Sequence, residues 1–163
     1  MNSGFDAFQS IIERLRGENG CPWDREQTYE SLKPCLVDEM TEVLAAIDIL
    51  NETGDGDNLC EELGDLLMNV VMLACIAGEE GRFTMADVIE GISRKMIRRH
   101  PHVFGTAQAE TSEQVLKNWE EIKKQEKSGT DPEGRAREKA AYVPAARWAA
   151  DHLEEKLAQK KIP

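Results

Sequence analysis

Two pairs of acidic residues within residues 37–71 constrain the fold of this chain more than any other feature. Glu39 and Glu42 form the first pair, and Glu62 and Asp65 form the second. A spacing of three residues places both side chains of a pair on one face of an α-helix, with Cβ atoms roughly 5–6 Å apart. The stretch therefore predicts two adjacent helices, joined by a turn rich in glycine and aspartate.

Apolar side chains surround these four carboxylates in the sequence. Those on the first predicted helix and then on the second are Leu36, Val43, Ala46, Ile47, Leu59, Leu63, Leu66 and Leu67. Carboxylates beside an apolar stripe are costly unless a positive charge neutralises them, so the pattern predicts a divalent cation. Acidic pairs are also common on solvated helix faces, and the spacing by itself leaves both interpretations open.

The composition indicates a single all-α domain without a basic surface. A chain of 163 residues can bury a substantial core, and clean β-branched alternation is hard to find in it. The net charge of −11 argues against nucleic acid or an anionic membrane as the main partner. The first ten residues lack signal-peptide features, no apolar run could span a membrane, and the four cysteines form no C-x-x-C pair. We therefore expect a cytoplasmic protein with free thiols.

Hydrophobic periodicity and capping residues predict six helices. They are expected near residues 5–17, 28–52, 58–78, 85–99, 111–127 and, with an interruption at Pro144, 136–160. Thr28 or Ser31 is the expected N-cap of the second helix, and Thr111 with Gln114 resembles a capping box. Residues 17–25 are predicted to form a loop.

The nearly uniform apolar character of residues 70–77 predicts burial on all sides of the third helix. In a chain of this size, such a helix is expected to pack against a second subunit as well as against its own chain.

Four segments carry motifs that are specific in combination. They are GCPWDREQTYESLKP from Gly20, the Glu39-x-x-Glu42 pair, EELGDLL from Glu61 and IRRHPHVFG from Ile97. Together they resemble the MazG family of nucleoside triphosphate pyrophosphohydrolases, over about residues 5–124 and in uninterrupted order.

This resemblance implies an all-α MazG-like helical bundle whose four-helix core is completed by dimerisation. With the boundary of Gly and Pro residues that follows, it predicts a MazG-like domain over residues 1–127 and a helical tail over residues 128–163. The tail lies outside the resemblance, and the sequence assigns it no role.

The resemblance also implies an activity. A MazG enzyme hydrolyses a (d)NTP to a (d)NMP and diphosphate, with Mg²⁺ as cofactor and Mn²⁺ as a possible substitute, in nucleotide-pool housekeeping. The expected partners are nucleoside triphosphates and further copies of the chain, as a homodimer or a higher homo-oligomer. The metal-ligand role is carried onto Glu39, Glu42, Glu62 and Asp65, and Glu39 or Glu42 is also the expected general base.

A basic cluster lies at the end of the fourth predicted helix. Cations there complement the helix dipole, which is a sufficient structural reason for them. Lys95 and Arg98 nevertheless share one face and could bind a triphosphate. The resemblance favours phosphate contact by Lys95 and Arg98, with Arg99 as a substitute and Lys95 in a catalytic role. For His100 and His102, phosphate contact and loop stabilisation both remain open.

Trp23 and Asn69 are two further candidates for substrate binding. Trp23 could fill a gap in the core or stack on the nucleobase, and the sequence favours the core. Asn69 lies one turn beyond Asp65 and could contact the sugar, or it could be a buried amide satisfied by a neighbour. Asp38 and Glu61 point away from the ligand face and are expected to support the ligands or remain solvated.

Three other functions share some of these features. A di-iron bundle requires Glu-x-x-His pairs, which the sequence lacks. A related all-α dUTPase or phosphoribosyl-ATP pyrophosphohydrolase would use similar carboxylates and differ in base recognition. A catalytically idle MazG-like module could serve dimerisation or regulation, because the flanking motifs resemble the first copy of tandem MazG proteins and one copy is present here. All four carboxylates are retained, which favours the enzyme.

Overall fold

The structure, a computed structural model, describes residues 4–129 and 131–159. Within these ranges the ordered elements are helices and no strand occurs, so the all-α prediction is confirmed. The described residues form α1 Gly4–Arg16, α2 Pro22–Glu26, α3 Tyr29–Thr53, α4 Asp57–Glu79, α5 Met85–Arg99, α6 Pro101–Phe104, α7 Ser112–Ser128 and α8 Pro132–Gln159. No helix in the described part of the chain is both long and apolar enough to cross a membrane.

Helix α1 is fastened to α4 by an apolar contact and by one arginine. The side chain of Ile12 is buried, at 2% exposure, where α1 packs against α4. Arg16 donates two hydrogen bonds of 2.7 Å to the Glu79 carboxylate at the end of α4. Arg16 also donates to the carbonyls of Asp24 and Gln27, at 2.6 and 3.3 Å. This one side chain therefore joins α1, the α2 segment and α4.

The segment over residues 17–25, predicted as a loop, contains the short helix α2. Pro22 occupies the first turn of α2, where its missing N–H costs no hydrogen bond. Before α2, the backbone of Gly20 passes so close to α1 that a Cβ there would lie 2.1 Å from the Leu15 carbonyl oxygen. The loop prediction was therefore incomplete: Gly20 permits a tight turn, and the proline begins a helix immediately after it.

Helices α3 and α4 form a hairpin with well-defined ends. Thr28 and Ser31 cap the start of α3 reciprocally: Thr28 Oγ1 accepts from the Ser31 amide at 3.2 Å, and Ser31 Oγ accepts from the Thr28 amide at 2.9 Å. Both predicted N-cap candidates thus take part. Pro34 is accommodated within the helix. Gly54 ends α3 in the left-handed conformation, at φ 76°, which favours glycine and reverses the chain.

The second half of α4 supplies much of the core. Five of its side chains are at most 5% exposed: Val71, Met72, Ala74, Ile76 and Ala77. Helices α1 and α3 of the same chain pack against α4. Most of the predicted stretch is therefore buried by the chain's own helices, but Val70 at its start is 37% exposed.

The contacts divide the described residues into two compact units. The first contains residues 4–85 and 149–159, and the second contains residues 86–148. In the second unit α5 ends before Pro101, as predicted, but Pro101 then begins α6, which was not predicted. Thr111 and Gln114 cap the start of α7: the backbone N–H of Gln114 donates to Thr111 Oγ1 at 3.3 Å. The side-chain oxygen of Gln114 accepts from the backbone N–H of Glu110.

Helix α8 differs from its prediction in two respects. It begins at Pro132 rather than near residue 136, and it continues through Pro144 without the predicted interruption. A proline removes one helical N–H donor, and the remaining turns of so long a helix keep theirs. The predicted end at residue 160 lies outside the described residues, and the domain boundary after residue 127 stays a prediction.

Candidate metal centre

Three glutamates converge across the α3–α4 hairpin. Glu39 and Glu42 lie one turn apart on α3, Glu62 lies on α4, and one carboxylate oxygen of each lies within 4.8 Å of the other two. All three residues are partly buried. Hard oxygen donors grouped in this way suit a divalent cation such as Mg²⁺ or Mn²⁺. The cluster could therefore hold a metal ion.

The carboxylates of this cluster repel one another. Burial raises the pKa of Glu39 above its ordinary value, and the charges of Glu42, Asp65, Glu62 and Asp38 raise it further. The structure thus brings three of the four predicted ligands together and places Asp65 within electrostatic range of Glu39. A bound cation would relieve this repulsion, so the donor set fits a divalent ion.

Two asparagines of α4 contact the acidic residues of the same helix. Asn58 donates a hydrogen bond of 2.9 Å to Glu62 Oε1, a contact that sequence reasoning missed although the spacing of four residues indicates it. Asn69 is buried, and its amide donates to the backbone carbonyl of Asp65 at 3.0 Å. This bond accounts for a buried polar side chain, and a substrate role for Asn69 stays a prediction.

Asp38 pairs with two cationic side chains of the C-terminal helix. His152 Nε2 lies 3.0 Å from Asp38 Oδ1, and Lys156 Nζ lies 2.5 Å from Asp38 Oδ2. Burial opposes ionisation of this carboxyl, but the hydrogen bonds from Lys156 and His152 hold the pKa of Asp38 below its ordinary value. Sequence reasoning missed both partners, because His152 follows Asp38 by 114 residues and no local spacing links them.

The predicted phosphate-binding cations belong to the second unit. Arg98 and Arg99 each form a salt bridge of 2.6 Å with Glu126 of α7. The hydrogen bond from Arg99, assisted by Arg98, lowers the pKa of Glu126 to about 2. Lys95 is exposed on α5. Arg98 and Arg99 thus share the carboxylate of Glu126, a pairing that the spacing in the sequence did not indicate.

The histidines of the HPH motif contribute to local structure. His100 Nδ1 donates to the Met96 carbonyl at 2.6 Å and thereby satisfies a carbonyl at the end of α5. The His100 ring lies 6.5 Å from the Trp119 ring and 5.7 Å from the His102 ring, between centroids. This geometry favours the loop-stabilising interpretation over phosphate contact.

Trp23 lies on α2 with 61% of its surface exposed. The interpretation as a core side chain was therefore wrong, because the unpredicted helix α2 directs the ring to solvent. Stacking on a nucleobase stays a prediction for this side chain.

The fold and the cluster together define an all-α domain with a candidate divalent-cation site. Residues 27–104 match the family model of the MazG nucleotide pyrophosphohydrolase domain, and this range contains all four predicted metal ligands. The chain therefore carries a MazG domain, and the resemblance found in its motifs is confirmed.

Several known proteins are similar to this chain. The nucleoside triphosphate pyrophosphohydrolase/pyrophosphatase MazG of Thermotoga maritima is 48% identical over 145 residues, which cover 89% of this chain and 53% of that protein. The nucleoside triphosphate pyrophosphohydrolase of Escherichia coli K12 is 49% identical over 124 residues, covering 76% and 46%. The uncharacterized protein YabN of Bacillus subtilis is 51% identical over 127 residues, covering 78% and 25%. The chain thus spans about half the length of these relatives or less.

Proposed function

We propose that this chain is a Mg²⁺-dependent nucleoside triphosphate pyrophosphohydrolase that converts a (d)NTP and water into a (d)NMP and diphosphate. The observation that carries the proposal is the convergence of Glu39, Glu42 and Glu62 within a MazG domain. The names of the Thermotoga maritima and Escherichia coli relatives support the substrate class.

The acidic residues have two roles in this reaction, which are to hold the cation and to accept a proton from water. Glu39, Glu42, Glu62 and Asp65 hold the cation, with Mn²⁺ as a possible substitute for Mg²⁺. A bound Mg²⁺ would neutralise charge on the phosphates and polarise a P–O bond of the anhydride between the α- and β-phosphates. Either Glu39 or Glu42 accepts the proton of the attacking water, since both carboxylates project from adjacent turns of α3.

Side chains outside the hairpin bind the rest of the substrate. Lys95 contacts the phosphates, and its exposed position on α5 leaves it accessible. Arg98 and Arg99 assist by exchanging part of their contact with Glu126 for a phosphate, which offers the same kind of oxygen acceptor. The exposed ring of Trp23 offers a surface on which a base can stack.

An apolar face of the hairpin supports a homodimer. Its side chains are 37–58% exposed and follow helical spacing on both helices: Met40, Leu44, Ile47, Leu63, Leu67 and Val70. Exposed apolar stripes of this kind on two paired helices favour an interaction surface. A second copy of the chain could pack the same face against this one, because symmetric dimers use the same surface on both subunits. The two hairpins would then bury both apolar faces and complete a four-helix core.

Product analysis tests the proposed reaction. The protein is incubated with Mg²⁺ and a panel of canonical and modified (d)NTPs, and the products are separated by chromatography. We expect monophosphate and diphosphate from the wild type, loss of turnover by at least about a hundredfold in Glu42→Gln, and normal turnover in Asp48→Asn, an exposed carboxylate of α3 outside the cluster. Absence of turnover on every nucleotide would favour the idle-module alternative.

A further inference from the structure

The C-terminal helix brings a lysine to the edge of the acidic cluster. Residues 149–159 of α8 belong to the same compact unit as the α3–α4 hairpin. Lys156 Nζ lies 2.5 Å from Asp38 Oδ2, and Asp38 directly precedes Glu39 in α3. His152 Nε2, one turn earlier on α8, contacts the other oxygen of Asp38 at 3.0 Å. Both bonds hold this end of α8, within residues 149–159, against the helix that carries Glu39 and Glu42.

The ammonium group of Lys156 lies within the electrostatic field of the cluster. The hydrogen bond with Asp38 raises the pKa of Lys156 above its ordinary value, and the charges of Asp38, Glu42 and Glu39 raise it further. Lys156 is therefore cationic at neutral pH and interacts electrostatically with two of the proposed metal ligands.

A small cavity is lined in part by Lys156. Its volume is about 70 Å³, and its lining consists of Asp38, Thr41, Glu42, Leu153, Lys156 and Leu157. The Lys156 side chain is 34% exposed, so its contact with Asp38 does not bury it fully. A lysine ammonium group has three N–H donors. Asp38 accepts from Lys156 through Oδ2, while its Oδ1 contacts His152, so Lys156 keeps donors for another acceptor. The cavity is large enough for a small group such as a water molecule or a phosphate oxygen.

The negative charge of the site, to which Asp38 adds beside Lys156, favours a neighbouring cation. Glu39, Glu42, Glu62 and Asp65 contribute four negative charges when ionised, and a triphosphate adds more. One divalent ion cannot neutralise both the carboxylates and the substrate, so a neighbouring ammonium group lowers the free energy of the bound polyphosphate.

We propose that Lys156 is a substrate-binding residue of the pyrophosphohydrolase site and that its ammonium group donates a hydrogen bond to a phosphate oxygen of the nucleotide. Asp38 and His152 are positioning residues, which act by holding the lysine and its helix against α3. This inference rests on the proposed function and gives the C-terminal helix a role in it.

Binding of a non-hydrolysable nucleotide tests the inference independently of turnover. The probe is an α,β-imido nucleoside triphosphate with Mg²⁺, titrated by calorimetry against the full chain. Lys156→Met keeps the aliphatic stem between Leu153 and Leu157 but removes the charge. We expect about tenfold weaker binding in this variant, most of the affinity restored in Lys156→Arg, and wild-type affinity in Lys139→Met, an exposed lysine on the same helix.

Two further measurements separate substrate contact from helix docking. Steady-state kinetics of Lys156→Met should show a raised KM with a smaller change in kcat. Amide hydrogen exchange over residues 149–159 should remain protected as in the wild type. Weakened binding that accompanies lost protection and is not restored by Lys156→Arg would assign the lysine to docking alone and overturn the inference.

The wild type distinguishes failure of this inference from failure of the proposed function. A wild type that neither hydrolyses a nucleotide nor binds the imido analogue would contradict the proposed function. A wild type that does both, together with a Lys156→Met variant that binds the analogue equally well, would contradict the role of Lys156 and leave the proposed function standing.

Discussion

Glu39 on α3 and Glu62 on α4 direct carboxylate oxygens to within 4.8 Å of each other across the hairpin. Neither helix could create this pair by itself, because the contact depends on the register at which the two helices pack. Gly54, in its left-handed conformation, reverses the chain between them and so helps to set that register. Because such close carboxylates repel one another, we expect the folded protein to respond to divalent cations.

Divalent cations should stabilise the fold through this cluster. An ion whose free concentration is a hundred times its Kd for the folded state raises the free energy of unfolding by about 2.7 kcal/mol. This corresponds to a Tm increase of several degrees. We expect Mg²⁺ or Mn²⁺ to raise the Tm of the wild type in scanning calorimetry, and Glu62→Gln to lose most of that increase. An equal increase in both proteins would place the binding ion elsewhere.

The apolar face of the hairpin should determine the oligomeric state. Leu44 is 58% exposed and lies between Met40 and Ile47 on α3, so a charge there would be buried in the proposed dimer. We expect light scattering after size exclusion to give a dimer for the wild type and a monomer for Leu44→Glu at micromolar concentration. Ile11→Glu changes an exposed apolar residue of α1 and should remain dimeric. A monomeric wild type would contradict the dimer.

Ile12 should contribute much more to stability than its neighbour Ile11. Ile12 is 2% exposed where α1 meets α4, whereas Ile11 is 56% exposed. Truncation of a buried isoleucine costs about 2–5 kcal/mol, whereas truncation at an exposed site usually changes stability by no more than about 0.5 kcal/mol. Urea unfolding of Ile12→Ala and Ile11→Ala should show this difference. Equal losses would mean that α1 does not pack on α4 as described.

The contact of Glu126 with Arg98 and Arg99 should make the protein sensitive to acid. The pKa of this carboxyl falls from 4.5 to about 2 on folding, so its stabilising contribution is complete above pH 4.5 and is lost as the pH falls towards 2. We expect Glu126→Gln to have a lower Tm than the wild type at pH 7 and a much smaller deficit at pH 3. Glu121→Gln, which alters an exposed carboxylate of α7, is the control.

The sequence by itself determined most of the helices and the candidate ligands. Periodicity located α1, α3, α4, α5 and α7, and capping residues such as Thr28 and Thr111 fixed where helices begin. These features depend on interactions within about four residues, which a linear sequence displays directly. The short helices α2 and α6 escaped prediction because each spans too few residues for a periodic pattern.

The tertiary structure alone decided which side chains meet across the chain. It exposed Trp23, buried Asn69 and paired Arg98 and Arg99 with Glu126. It also joined Asp38 to Lys156, a residue in a segment to which the sequence assigned no role. Helical spacing determines the face of a helix on which a residue lies. The neighbour of that face depends on how distant segments pack to bury their apolar surfaces, and no local pattern records that choice.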